Sequence, residues 1–284
     1  MRDRRGFALA GTLWALVLLS AVALAGLASA RVEIAAGRNR LVLARADWAR
    51  HGCVETALSD IASGGRGEVD SMAFSNGAWC QVTADDPARR LHLALLDSAV
   101  AAALFGTDSL VAALLDWLDA DTIQRRSGAE SRWYRTRHRP APADGPLQHP
   151  RELCLIRGFE AMCEGRIEQW FTVHGSARLN PVLADTRLVS AVTGLPSAAA
   201  RRLQEAARTQ RASSLSHAAS TLSSADRASL DALWSRAEYH LEFEQRFATL
   251  HATAGVRGTP LQSAEWLEVA ILPGRAAILA RATW

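Results

Sequence analysis

Three carboxylates at short spacing, Asp119, Asp121 and Glu130, are the residues of this chain best suited to chemistry. Carboxylate oxygens are hard donors, and calcium takes roughly six to eight of them, so a loop that gathers the three is a candidate calcium site. Counted from Asp119, the three stand at positions 1, 3 and 12 of an EF-hand loop. Ile123 and Gln124 occupy the places where that loop requires an oxygen donor and a glycine, so a true EF-hand is excluded. The competing expectation is that Asp119 and Asp121 cap a helix end or pair with Arg125 and Arg126.

No catalytic pattern accompanies these acids. The 8 histidines are scattered without metal-ligand spacing, and there is neither a G-x-S-x-G elbow nor a phosphate loop. His51, His92 and His240 read as ordinary surface or half-buried residues. The segment from Leu179-Asn180-Pro181 through Gly194-Leu195-Pro196 to Arg208 resembles a helix-hairpin-helix, a binder of DNA backbones. Pro196 sits where the second glycine belongs and removes an amide donor, so the expectation is a helical hairpin packing its own core. The formal net charge is only +3, which supplies no basic field for nucleic acid. All the basic side chains are arginine. Four cysteines, Cys53, Cys80, Cys154 and Cys163, fit an exported chain, in which disulfides persist; four allow three pairings, and the sequence does not choose among them. The tryptophans are expected mostly in cores, with Trp48, Trp79, Trp117 and Trp266 in or beside regular elements and Trp14 inside an apolar span.

The elements that position these residues begin with that span. Arg2, Asp3, Arg4 and Arg5 run into Gly6-Phe7, and no charge appears from Phe7 to Ala30. At about 1.5 Å per residue a helix of that length crosses a bilayer core of roughly 30 Å. Ala28-Ser29-Ala30 would suit a signal peptidase, but the apolar run is longer than the roughly 7 to 15 residues of a signal h-region. Beyond it, Ile34, Leu41, Ala44 and Trp48 keep helical spacing, so the helix is expected to reach about Ile61 and to end at Gly64-Gly65-Arg66-Gly67, packed against a sheet. A hairpin is expected from Trp79 to Thr83 and from Arg90 to Leu96, with Asp85-Asp86-Pro87 as its turn. Helical texture follows at Ala101 to Phe105, Leu110 to Leu118, Thr186 to Thr193 and Ser197 to Arg211. Strand signals return around Tyr239 to Phe243, Trp266 to Leu272 and Ala276 to Trp284. The expected class is α+β: a long N-terminal helix packed on an antiparallel sheet, interrupted by a large inserted all-helical domain. The corresponding boundaries are a leader at 1–6, a membrane helix at 7–30, the first part of the α+β domain (helix spine and hairpin) at 31–96, the insertion at 97–233 and closing strands at 234–284.

The Gly6-Phe7 junction resembles the leader that a prepilin peptidase cuts in type IV pilins and pseudopilins, so the resemblance implies a mature chain beginning at Phe7. Leu115-Asp116-Trp117-Leu118-Asp119-Ala120-Asp121, Gly128-Ala129-Glu130 and Trp133-Tyr134, with Pro146-Leu147, Glu152-Leu153, Gly158 and Val173 to Asn180 after them, resemble the protein K family of type II secretion. Gly11 falls at the fifth mature position, where most pilins carry glutamate and this family does not. Thr122 departs from the family, which usually has an acid there, and Arg89-Arg90 replace a glycine-lysine turn. The resemblance implies a single-pass inner-membrane minor pseudopilin with a periplasmic domain, at the tip of a pseudopilus. It further implies a heterotrimer with the I and J minor pseudopilins, contact with the major pseudopilin, processing by the peptidase, and calcium in the insertion. Ile34, Leu41 and Trp48 are the residues expected to meet the partners. A minor pilin of a type IV pilus or competence system is the alternative.

Overall fold

The computed structural model describes residues 4–165 and 167–284, with side chains from Gly11 onward apart from 164 and 166. The first element, α1, is one continuous helix, Arg4–Ala62. At about 1.5 Å per residue it is about 88 Å long. From Gly11 onward it carries the one stretch among the described residues long and apolar enough to cross a membrane, none of it buried. Gly6 and Phe7 lie within α1, and their side chains are outside the described residues. The helix stops where Gly64 turns to φ +89 and Gly65 lies so close to the Asp60 carboxylate that a Cβ would overlap it. The Asp60 carboxylate also accepts from the amide of Gly67 at 2.8 Å, which closes the turn.

After the helix come β1 (Val69–Ala73) and β2 (Ala78–Asp85), then β3 (Leu91–His92), α2 (Ser98–Phe105), α3 (Asp108–Leu118), α4 (Ser131–Arg135), β4 (Phe171–Thr172) and α5 (Thr186–Thr193). The chain continues through α6 (Ser197–Thr209), α7 (Leu215–Ala219), α8 (Ser224–Asp231) and α9 (Trp234–His240) to β5 (Phe247–Val256), β6 (Gln262–Leu272) and β7 (Arg275–Thr283). The main sheet has the order β1-β2-β5-β6-β7 and every pairing in it is antiparallel. Ala46, Ala49, Cys53, Val54, Ala57 and Ile61 of α1 pack on Cys80 and Val82 of β2, Leu250 and Ala252 of β5, and Leu267 and Val269 of β6. The alanines let helix and sheet approach closely, so apolar area is buried with little side-chain entropy to lose.

The apolar stripe of Ile34, Leu41 and Trp48 points away from the sheet, at 56%, 62% and 78% exposure, so Trp48 is not a core residue. The alanine-rich face does the packing, because a large side chain there would hold the helix off the sheet. Trp79 to Thr83 is strand, but its neighbours are β1 and β5. Arg90 to Leu96 instead forms the short β3, which pairs in parallel with β4, and then a 3-10 turn. Tyr239 and His240 end α9, and the strand begins only at Phe247.

Asp85 pairs with Thr249, so the chain leaves the sheet from β2 and returns into β5 side by side. Everything between builds a second core around Trp117, Tyr134, Phe159, Leu188, Leu203 and Leu230. Leu91, Leu93, Leu95 and Leu96 belong to that core, as do Ala237 and Leu241, so the helical lobe starts earlier and ends later than 97 and 233. The helical hairpin of α5 and α6 turns at Gly194, which adopts φ +81, and buries Val189, Val192, Ala200 and Leu203 in the same core. Pro196 occupies the N-cap of α6.

Candidate functional site

The acidic segment lies between α3 and α4. Asp116, on the last turn of α3, is fully buried. It accepts from the amide of Arg125 at 3.3 and 3.2 Å and from Arg125 Nη1 at 2.8 Å. A Cβ at Gly128 would overlap the Asp116 carboxylate, which explains why glycine stands there. The Gly128 carbonyl accepts from Gln124 Nε2 at 2.8 Å and from Arg157 Nη1 at 2.9 Å. Beneath the loop, Trp117 and Tyr134 meet edge to face at 5.2 Å, Trp133 meets Tyr134 at 4.9 Å, and the Tyr134 hydroxyl accepts from the Arg157 amide at 3.0 Å. Burial raises the Tyr134 hydroxyl, so it stays a neutral phenol.

This scaffold brings Asp119, Asp121 and Glu130 together, each with a carboxylate oxygen within 4.8 Å of the other two. Asp119 follows α3 and pairs with Arg125. Asp121 Oδ1 accepts from the Ile123 amide at 2.7 Å. Glu130 caps α4, taking the Ser131 amide at 3.3 Å, and is 4% exposed. Burial, followed by the charges of Asp116, Asp119 and Asp144, pushes its carboxyl above the usual range despite the Ser131 amide. Asp119 Oδ1 and Glu130 Oε1 are buried and have no hydrogen-bond partner among the described residues. Two such oxygens facing a cluster of acids suit a hard divalent cation. Asp119 thus pairs with Arg125 through Oδ2 while its Oδ1 has no partner among the described residues. The pairing of Asp116 with Arg125 has one trace in the sequence, an aspartate on the apolar face of α3, where only a partnered charge is stable.

The remaining candidate residues lie apart from this loop. Ile34, Leu41 and Trp48 lie exposed along α1. Cys53 is bonded to Cys80, tying α1 to β2, and Cys154 to Cys163, closing a run of 3-10 turns in the helical lobe. Between the lobes a cavity of about 630 Å³ is lined by Asp85, Asp86, Arg66, Arg89, Asn180 and Arg208 among others. Asp86, nearly buried there, accepts from the Ala88 amide at 2.9 Å and lies 3.5 Å from Asn180 Nδ2. Burial raises its carboxyl to about 6.

A family model described as type II secretion system, protein K, matches residues 68–176. Among solved structures, a chain from the crystal structure of the GspK-GspI-GspJ complex of the enterotoxigenic Escherichia coli type 2 secretion system is similar in fold, with a TM-score of 0.59 at 15% identity. The similarity covers 87% of this chain and 99% of that one. Comparison with curated proteins gave no significant match.

Proposed function

We propose, from the match of residues 68–176 to the type II secretion system protein K family model, that the chain works as a minor pseudopilin at the tip of a pseudopilus. In that role it assembles with partners of the I and J types and supports export across the outer membrane. The observation that carries this reading is α1: its upper half packs on a sheet, while Ile34, Leu41 and Trp48 stand exposed on the opposite face. Large apolar residues lined along a helix are the material of helix-to-helix docking. The family match weighs for secretion over the type IV pilus alternative. Its role is assembly, not catalysis.

The lower half of α1 serves as a single-pass anchor in the inner membrane, with the sheet and helical lobe in the periplasm. Peptidase cleavage after Gly6 leaves Phe7 as the mature terminus. Intact mass of the membrane-extracted chain tests this; a terminus at Arg31 would mean a removed signal peptide and no anchor.

Asp119, Asp121 and Glu130 are proposed to hold calcium, which would neutralise their mutual repulsion and tie α3 to α4. Support comes from the convergence of the three carboxylates and the two unused oxygens. Melting of the chain with calcium or with chelator tests the proposal, because a ligand that binds only the folded form stabilises it.

A further inference from the structure

Beside the acidic loop the helical lobe carries a run of arginines, only part of which that loop engages. Between residues 125 and 139 stand six arginines against one glutamate, in a chain whose formal net charge is only +3. Arg125 is consumed by Asp116 and Asp119, and Arg139 by Glu160. Arg132, Arg135 and Arg137 are exposed and pair with no carboxylate among the described residues. Arg132 and Arg135 sit three apart on α4, so they share a face. Trp133, half-buried and on the same short helix, has guanidinium groups over its ring, with Arg137 at 4.4 Å, Arg157 at 5.3 Å and Arg139 at 5.7 Å from its centre. Contact with the ring face fixes these cations. His138, held at φ +53, turns the chain sharply just between Arg137 and Arg139. Like charges gathered and immobilised this way repel one another, and an anionic partner would relieve that cost.

We propose that Arg132, Arg135 and Arg137, around Trp133, form a docking surface for an acidic segment of another protein. Tryptophan flanked by arginine is the composition of interface hot spots, and guanidinium forks match carboxylates in two-point fashion. Position argues against the anchoring membrane as the partner. The lobe leaves the sheet at the end where Ile61 of α1 lies by Leu250, the two flanking Gly67. Ile61 is about 46 Å of helix beyond Ala30, several times the Debye length of about 8 Å. This inference goes beyond the proposed assembly role and does not depend on calcium.

The test uses the full-length chain in a nonionic detergent, with fluorescein-labelled deca-aspartate as the acidic probe and inositol hexakisphosphate as a phosphate probe. Fluorescence anisotropy should show binding of the peptide that weakens with added salt. Arg132→Glu with Arg135→Glu should reduce affinity about tenfold or more, while the lysine pair at the same positions retains most of it. Trp133→Leu should weaken binding with no change in charge. Arg187→Glu with Arg201→Glu, equal in charge change on the exposed sides of α5 and α6, should alter affinity less than about twofold. Equal losses in the two reversed pairs would reduce the effect to net charge and overturn the proposal. Absence of peptide binding by the wild-type chain, or binding of the phosphate probe alone, would overturn it as well.

Discussion

Gly128 faces the buried carboxylate of Asp116 so closely that no side chain fits between them, and that contact lets the loop after α3 fold back over its own helix end. Gly128→Ala should therefore destabilise the helical lobe by about 1–3 kcal/mol, the usual cost of overpacking. Asp116→Ala should cost about 2 kcal/mol, because the Arg125 amide and guanidinium lose their acceptor. Denaturant unfolding of the two variants reads both values. Near-wild-type stability in both would mean that the contact does not hold the loop.

Calcium should raise the melting temperature of the wild-type chain, and Asp119→Ala and Glu130→Gln should abolish the rise. At a hundredfold excess over Kd the gain is about 2.7 kcal/mol. Arg125→Gln should lower stability in chelator yet strengthen calcium binding, since it frees the Asp119 oxygen that Arg125 now occupies. Because the Glu130 carboxyl is pushed up, protons compete for it earlier than for an ordinary glutamate, so calcium affinity should fall as pH drops into the carboxylate range. A calcium-independent melting curve would leave these acids with only their capping and pairing roles.

Asp86 gives the junction between the lobes a pH dependence. Its folded carboxyl titrates at about 6 against an ordinary value of 3.8. A raised carboxyl favours the folded state where it is protonated, so its contribution is lost as pH rises from about 4 through 6. The change amounts to at most about 3 kcal/mol. Asp86→Asn should flatten stability between those pH values relative to wild type. A variant whose pH profile matches wild type would show that Asp86 ionises freely.

The two disulfides should differ in worth. Cys53–Cys80 spans 27 residues and Cys154–Cys163 spans 9. On loop entropy, double serine replacement should cost about 3.5 kcal/mol at the first and about 2.6 kcal/mol at the second. Unfolding under oxidising conditions compares them, and the reverse order would contradict the entropic origin.

Much of this architecture was legible in the chain. The uncharged run to Ala30, the glycines after Ile61 and the helical spacing of Leu188, Val189 and Val192 each express a local preference that the fold keeps. The acidic cluster was legible too, because Asp119, Asp121 and Glu130 lie on one loop. What the chain hid was decided by distant contacts. Ala46, Ala49 and Ala57 look unremarkable beside Ile34 and Trp48, yet closeness to the sheet selects the smaller face. Arg90 to Leu96 reads as strand, yet its Leu91, Leu93, Leu95 and Leu96 join Leu153 and Leu188 in the helical core. Tyr239 alternates like a strand residue yet ends α9, where the Leu241 amide bonds to the Ala237 carbonyl at 2.9 Å.

The proposed role rests on α1 joining this chain to partners of the I and J types. Its most direct measurement is native mass spectrometry of the full-length chain co-expressed with the two partners from the same secretion system and extracted in mild detergent. The expected result is a complex with one copy of each, which Trp48→Ala weakens more than Asp119→Ala does. A chain that stays monomeric beside both partners, or a complex unaffected by Trp48→Ala and Leu41→Ala together, would contradict it.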